Sequence, residues 1–178
     1  VFLKKIDKIT FLFFCLIFIL INKQVLSLEK SLIKPIVLDY LQDIKEFKSS
    51  FLQSQDGAIE EGMLYIKNNR VRIEYLTNSE IRIIISDNEG MYYNKELDEL
   101  QYFNPKKNIA GSFFKFFYDK SFLIDAKYKH EENFITVEKL VTIGDEINKI
   151  KIYFESSPVL LKKIEIINND RLMTLAII

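Results

Sequence analysis

Between Glu61 and Phe103 apolar and polar residues alternate with a period of two, and short polar clusters interrupt the alternation. The segments Gly62–Lys67, Arg70–Leu76, Glu80–Ser86, Met91–Asn94 and Glu99–Phe103 are predicted strands. Lys67-Asn68-Asn69, Thr77-Asn78-Ser79, Asp87-Asn88-Glu89-Gly90 and Lys95-Glu96-Leu97-Asp98 separate them. Asn, Asp and Gly suit such turns because they tolerate left-handed backbone or hydrogen-bond their own turn. Connectors this short require antiparallel pairing, since a parallel crossover takes roughly a dozen residues or more. One face carries Arg70, Arg72 and Glu74 and the other Val71, Ile73 and Tyr75, while Arg82 breaks the run of Ile81, Ile83, Ile84 and Ile85. A meander with one apolar face must curl around something or be covered.

The flanking sequence supplies the cover and more strands. Ser31–Phe47 has a helical period, with Ile33, Ile36, Val37, Tyr40, Leu41, Ile44 and Phe47 on one side and Pro35 in the first turn. It reads either as a helix laid on the apolar face or as a helix over a cavity mouth. Phe51–Gln55 and Ile59–Lys67 form a hairpin across Asp56-Gly57. Asn108–Tyr118 crowds Phe113, Phe114, Phe116 and Phe117 into about one helical turn, capped by Asn108 or Ser112. It reads as a core helix, a lid, or a membrane-surface helix, the last with only Lys115 as a basic contact. Beyond it Phe122–His130, Asn133–Val137, Ile147–Phe154, Val159–Ile167 and Arg171–Ile178 are predicted strands. The count reaches about eleven, a mainly β, α+β chain whose single antiparallel sheet is expected to curl or close.

The first 27 residues have a different character. Lys4, Lys5 and Lys8 precede an apolar run of thirteen residues, Ile9–Ile21, and Val25 and Ser27 fit a secretory cleavage site. A membrane span needs about 20 apolar residues, so residues 1–27 are expected to be a cleaved signal peptide, the other reading being an uncleaved anchor. Residues 28–178 then form one domain, exported on this reading. Leaving out Lys4, Lys5, Lys8, Lys23 and Asp7 turns 25 basic and 25 acidic residues into 21 and 24, a net charge of −3. That balance gives no reason to expect nucleic acid or a polybasic membrane patch. The only cysteine, Cys15, lies inside the apolar run, so the mature part has no disulfide and no acylation site.

Reactive constellations are not apparent. His130 is the single histidine and sits beside Glu131 and Glu132 at a turn; without a second histidine or a cysteine, a soft-ligand metal site is not expected. Glu60-Glu61, Glu131-Glu132 and Asp145-Glu146 read as solvated pairs, and neither a nucleophile elbow nor a phosphate-cradling loop is present. Catalytic residues, cofactors and metals are therefore not predicted.

Several segments, taken in order, carry a resemblance. Phe51-Leu52-Gln53, Gly62-Met63-Leu64-Tyr65-Ile66-Lys67, Arg72-Ile73-Glu74-Tyr75, Ile84-Ile85-Ser86-Asp87 and Met91-Tyr92-Tyr93-Asn94 resemble the pattern of the periplasmic outer-membrane lipoprotein carrier proteins, the LolA family. The resemblance extends to a closing hairpin at Leu160–Leu175 and covers most of residues 28–178. It implies an incomplete antiparallel β-barrel with helices over the open mouth. The implied activity is to shield the acyl chains of lipoproteins and move them from the inner to the outer membrane. Implied partners are acylated lipoproteins as cargo, an inner-membrane ABC-type exporter and an outer-membrane acceptor lipoprotein, with the carrier a monomer. The other readings are a lipid- or glycolipid-binding module and a regulatory module of the same fold.

On this reading the acyl-chain cavity is expected from Phe51, Leu64, Ile66, Val71, Ile73, Tyr75, Ile83, Ile85 and Tyr92 on the strands. Ile36, Val37, Tyr40, Leu41 and Ile44 would face them, with Phe113, Phe114, Phe116 and Phe117 as the lid. A one-residue slip would invert every strand assignment. Family members carry an arginine that bonds to the lid, where this chain has Lys67 followed by Asn68 in place of Arg-Pro. Lysine keeps the charge and loses the planar fork, so a latch is expected from Lys67 or, in its place, from the nearby Arg70 or Arg72.

Overall fold

Alternation of period two builds nearly everything in this chain. The computed structural model describes residues 32–76, 80–119, 121–169 and 171–178; the expected signal peptide lies outside them. A helix α1 (32–43) precedes six strands: β1 (Glu46–Gln55), β2 (Ala58–Lys67), β3 (Arg70–Tyr75), β4 (Ile81–Ile85), β5 (Gly90–Asn94) and β6 (Glu99–Phe103). A short helix α2 (Ile109–Phe113) lies in the crossing segment, and β7 (Lys127–Glu131), β8 (Phe134–Ile143), β9 (Glu146–Ser156), β10 (Val159–Asn168) and β11 (Arg171–Ile177) complete the chain.

All strands belong to one antiparallel 11-stranded sheet in the order β6-β5-β4-β3-β2-β1-β11-β10-β9-β8-β7. Within each half of that order, consecutive strands are joined as hairpins, and the long-range closure is β1 on β11, with Phe51 opposite Ile177 and Gln55 opposite Met173. The sheet does not close on itself: β6 and β7 remain its two edges, and residues 104–126 cross between them. This is the incomplete barrel expected above. The Asp56-Gly57 and Asn68-Asn69 turns have φ of 50°, 82°, 52° and 58°, the left-handed pair that two-residue hairpins need to match strand twist.

Four predicted elements need correction. The helix stops at residue 43 and does not reach Phe47, because β1 starts at Glu46 and pairs with β2 along its full length, Glu46 opposite Lys67 to Gln55 opposite Ala58. Phe47 suits both readings, three residues from Ile44 and four from Phe51, and the ladder hydrogen bonds decide for the strand. Residues 108–118 are not one helix: α2 ends at Phe113 and a 3-10 turn, Lys115–Phe117, follows. The Phe114 N–H is shared between the Ala110 and Ser112 carbonyls, and the Tyr118 hydroxyl donates to Gly111 O at 2.6 Å, folding the segment back on itself. Residues 121–126 form turns, and the strand predicted from Phe122 begins at Lys127. Phe122 and Leu123 are both buried, which adjacent strand residues on opposite faces cannot achieve at a sheet edge but turn residues can. Strand β8 also runs on to Ile143, past the predicted Val137, with Leu140 63% exposed on the outer face.

Candidate functional site

The inner face of the curled sheet is where the apolar positions converge. Leu64, Ile66, Val71, Ile73 and Ile85 are buried there, and Tyr75, Ile83 and Tyr92 are half-buried on the same face. The registers Leu64–Ile73, Ile73–Ile83 and Ile83–Tyr92 put them in one row across β2, β3, β4 and β5. The second half of the sheet contributes an equal wall through Val137, Ile150, Ile152, Phe154, Ile164 and Leu175, all at most 1% exposed. The same alternation in β8–β11 carries that signal, although none of those residues was among the expected site residues.

One cluster explains the segments that carried the resemblance. Phe51, Gly62 and Tyr75 are consecutive cross-strand partners. A Cβ on Gly62 would lie 2.4 Å from the Phe51 ring and 2.5 Å from the Glu74 carbonyl oxygen, so the ring lies directly over the glycine. Tyr75 stands edge-on to Phe51 with ring centroids 5.5 Å apart, and its hydroxyl donates to Gln53 Oε1 at 2.7 Å. Burial, then the nearby Glu60 charge, push the Tyr75 phenol up to about 12 against the opposing effect of the Gln53 bond. The Phe-x-Gln and Gly positions are thus parts of one packed joint between three strands.

The open side of the sheet is filled by helical segments. From α1, Val37 is fully buried and Ile33 nearly so, and Leu38, Tyr40 and Leu41 pack against the core; Ile44, just past the end of the helix, is half-buried. Ile36 departs from the expectation that it faces the strands: it is 48% exposed, because the buried stripe runs Ile33–Val37–Tyr40 and Ile36 flanks it. Tyr40 meets Phe154 edge-on at 5.8 Å, and its hydroxyl accepts the Leu161 N–H at 3.1 Å. Lys34 Nζ donates to Ile124 O at 2.5 Å, tying α1 to the crossing segment.

The four phenylalanines of the crossing segment reach the same interior. Phe113, Phe114 and Phe116 are 1%, 2% and 3% exposed. Phe117 is half-buried, with ring centroids 4.1 Å from Phe116 and 6.4 Å from both Phe47 and Phe114. Asn108 caps α2 by accepting the Ala110 N–H at 2.8 Å. Asp119 accepts from the Ser121 N–H and hydroxyl; burial would raise its carboxyl, but these bonds and the Lys115 charge hold it below its ordinary range. Burial pushes the phenols of Tyr118 and Tyr128 up to about 12.

The expected latch is not built from the cations named for it. Lys67 pairs with Glu46 at 2.6 Å on the exposed side of β1 and β2. Arg72 lies over the outward Tyr65 ring at 4.2 Å and approaches Glu74 at 3.6 Å. Arg70 shares Arg72's face of β3. By alternation, all three lie on the face opposite the phenylalanines. Asn68 and Asn69 of the β2–β3 turn line a recess of about 340 Å³ together with Phe116, Phe117, Leu38 and Leu41.

A larger recess of about 630 Å³ opens at the other end of the interior, lined by residues of β8–β11, Gln55 and Ile109. Its wall includes Asn148, 1% exposed, whose Oδ1 has no hydrogen-bond partner among the described residues. Among the described residues three or more His, Cys, Asp or Glu side chains nowhere gather as metal ligands would.

The family model described as "Outer membrane lipoprotein carrier protein LolA" matches residues 42–176. The chain belongs to the LolA family. Its LolA-type sheet also superposes on the crystal structure of an uncharacterized conserved protein from Thermus thermophilus. That TM-score is 0.51 at 9% identity, over 82% of this chain and 83% of the other, a likeness of fold alone. A structure of PNGF-II overlaps with a TM-score of 0.36 at 8% identity, over 75% of this chain and 28% of the other, too loosely to bear on fold or function. Curated protein sequences give no match. Members of the LolA family are carrier proteins, and membership gives this chain the fold of a lipoprotein or lipid carrier.

Proposed function

We propose that this protein shields the acyl chains of lipoproteins in its apolar interior and carries them through the periplasm from the inner to the outer membrane. The observation that carries the reading is the composition of the open side. The sheet's two edges do not meet, and the gap over its apolar face is filled by a helix and by Phe113, Phe114 and Phe116 from a segment that crosses between the edges. Exposing acyl chains to water costs about 0.8 kcal/mol per methylene, so several chains represent tens of kcal/mol and do not cross an aqueous space unshielded. A carrier needs an apolar interior, a displaceable cover and no covalent hold on its cargo. Among the described residues the polar ties between cover and sheet include the Tyr40–Leu161, Tyr128–Leu123 and Lys139–Asp125 bonds, the last with an exposed carboxylate.

Loading by an inner-membrane ABC-type exporter and unloading to an outer-membrane acceptor lipoprotein belong to the same proposal, as does removal of residues 1–27 on secretion. A regulatory module of this fold is the second reading, favoured by how completely the chain's own side chains fill the interior. A release assay separates the two. Spheroplasts bearing a labelled outer-membrane lipoprotein and a matched exporter are incubated with the purified protein, and the supernatant is scored for a soluble complex. Release that weakens in Phe113→Ser and Phe117→Ser supports the carrier. A folded protein that releases nothing refutes it and leaves the regulatory reading.

A further inference from the structure

The larger recess has a graded wall. Asn148, Asn168 and Arg171 line it as successive cross-strand partners on β9, β10 and β11, and so share one face. The next row inward, Ile150, Ile166 and Met173, is apolar and continues into the core, with Ile109 of α2 across from it. A polar rim above an apolar floor is the profile of a site for an amphipathic molecule.

Asn148 is the unusual member of that rim. It is 1% exposed, and its Oδ1 is the buried side-chain acceptor that finds no partner among the described residues. Its Nδ2 reaches the Glu146 carbonyl only at 3.5 Å. The neighbouring Glu146 carboxylate cannot help, since it offers acceptors alone, and it already takes the Asn168 amide at 2.7 Å. An amide oxygen left this way is costly, and a donor that enters the recess relieves the cost. Arg171 on the rim presents the opposite need, N–H groups suited to carbonyl oxygen. The ligand called for therefore bears a donor and a carbonyl close together at the end of a hydrocarbon chain.

We propose that this recess is a head-group subsite for a long-chain N-acyl amide: the amide N–H donates to Asn148 Oδ1, the carbonyls face Arg171, and the chain runs over Ile166 and Met173 beneath Ile109. The proposal rests on the carrier reading, which it deepens by giving the interior a polar anchor at one end. Its volume, about 630 Å³, lies within the usual range of small-molecule sites, roughly 300–1,000 Å³.

The test compares binding of three palmitoyl probes by the purified protein: N-palmitoylglycine methyl ester, 1-palmitoylglycerol and methyl palmitate. The first offers an amide N–H, the second hydroxyls, the third no donor. The wild type is expected to bind the amide about tenfold more tightly than methyl palmitate, with the Asn148 side-chain amide resonances shifting on titration. In Asn148→Leu the preference collapses to near unity while the melting temperature stays the same or rises, because an apolar side chain of similar size removes an unpaired buried acceptor. A purely structural asparagine would instead lose stability on that change. Equal binding of the amide and methyl palmitate by the wild type, a preference that survives in Asn148→Leu, or unmoved Asn148 resonances overturn the subsite. Stronger binding of the glycerol ester overturns the amide assignment. If none of the probes binds yet lipoprotein is released from spheroplasts, the subsite falls and the carrier stands; if release fails as well, both fall.

Discussion

The joint between α1 and the sheet gives the sharpest prediction. The β10–β9 register shifts between Leu161 and Lys163, and at that irregularity the Leu161 N–H turns to the Tyr40 hydroxyl, 3.1 Å away. Tyr40→Phe keeps the ring and its edge-on contact with Phe154 at 5.8 Å, and removes only the acceptor. Leu161 is 3% exposed, so the orphaned N–H costs about 1–3 kcal/mol when α1 is seated. When α1 lifts, water satisfies that group and the cost disappears. The opening equilibrium of α1 therefore shifts by about 5- to 150-fold toward the open form, at about 1.4 kcal/mol per decade. Amide hydrogen exchange at Leu161 and along residues 32–43 measures this directly, and exchange should speed by that factor while the β2–β3 amides stay protected. Unchanged Leu161 protection in a folded Tyr40→Phe protein would refute the reasoning, because the N–H would then have another partner.

Other consequences follow from the same structure. Phe113→Ala removes a side chain 1% exposed and should lower stability by about 3–5 kcal/mol in urea titration, partly recovered by a bound acyl probe. Gly62→Ala should destabilise by about 1–3 kcal/mol or more, since one of its clashes is with the Glu74 backbone oxygen, which cannot rotate away. Gly57→Ala meets no atom within 4 Å, so its cost by the same measurement should come only from placing a side chain at φ 82°. Lys67→Ala should change stability by less than about 1 kcal/mol and leave cargo release unaltered, because its pair with Glu46 is exposed. Tyr75, Tyr118 and Tyr128 have phenols raised to about 12 in the fold against 10.0 ordinarily; the stability they contribute is whole below pH 10 and is lost as pH rises toward 12. Absorbance of tyrosinate and circular dichroism recorded together should show ionisation and unfolding in that window, with Tyr75→Phe moving both.

The sheet was legible because its signal is local and repeated. Strand β6 has the bounds its alternation predicts, Glu99–Phe103, and the turns at Asp56-Gly57 and Asn68-Asn69 adopt the left-handed backbone their residue types favour. The errors fall where one residue satisfies two periods or none. Phe47 fits both a helix with Ile44 and a strand with Phe51, and only the non-local β1–β2 ladder chooses. A strand starting at Phe122 is wrong because consecutive buried residues look alike in turns and strands until the partner strand is known. The polar rim was invisible for a different reason. Asn148 stands in an ordinary alternating strand among many asparagines, and its meaning comes from what Glu146 and Asn168 do with their own hydrogen bonds. The latch failed by parity: Lys67, Arg70 and Arg72 occupy the face opposite the interior.

Whether such an interior can open is a question of magnitudes. Unseating α1 exposes Ile33 and Val37, 6% and 0% exposed, at about 1.5–3 kcal/mol each, the partly buried Leu38, Tyr40 and Leu41 at about 1 kcal/mol each, and the groups of the Tyr40–Leu161 and Lys34–Ile124 bonds. The cost of lifting that cover is thus on the order of 10 kcal/mol. A single chain of about fifteen methylenes recovers about 12 kcal/mol on burial, at about 0.8 kcal/mol per methylene. The apolar gain from one chain therefore offsets the displacement of α1, and further chains add to it only as Phe113, Phe114 and Phe116 also give way. On the proposed carrier function, those same side chains would refill the emptied interior, so that release would leave no large apolar surface in water. A cover held more firmly, by several buried ion pairs, would raise the cost of opening by several kcal/mol and erase the margin that one acyl chain supplies.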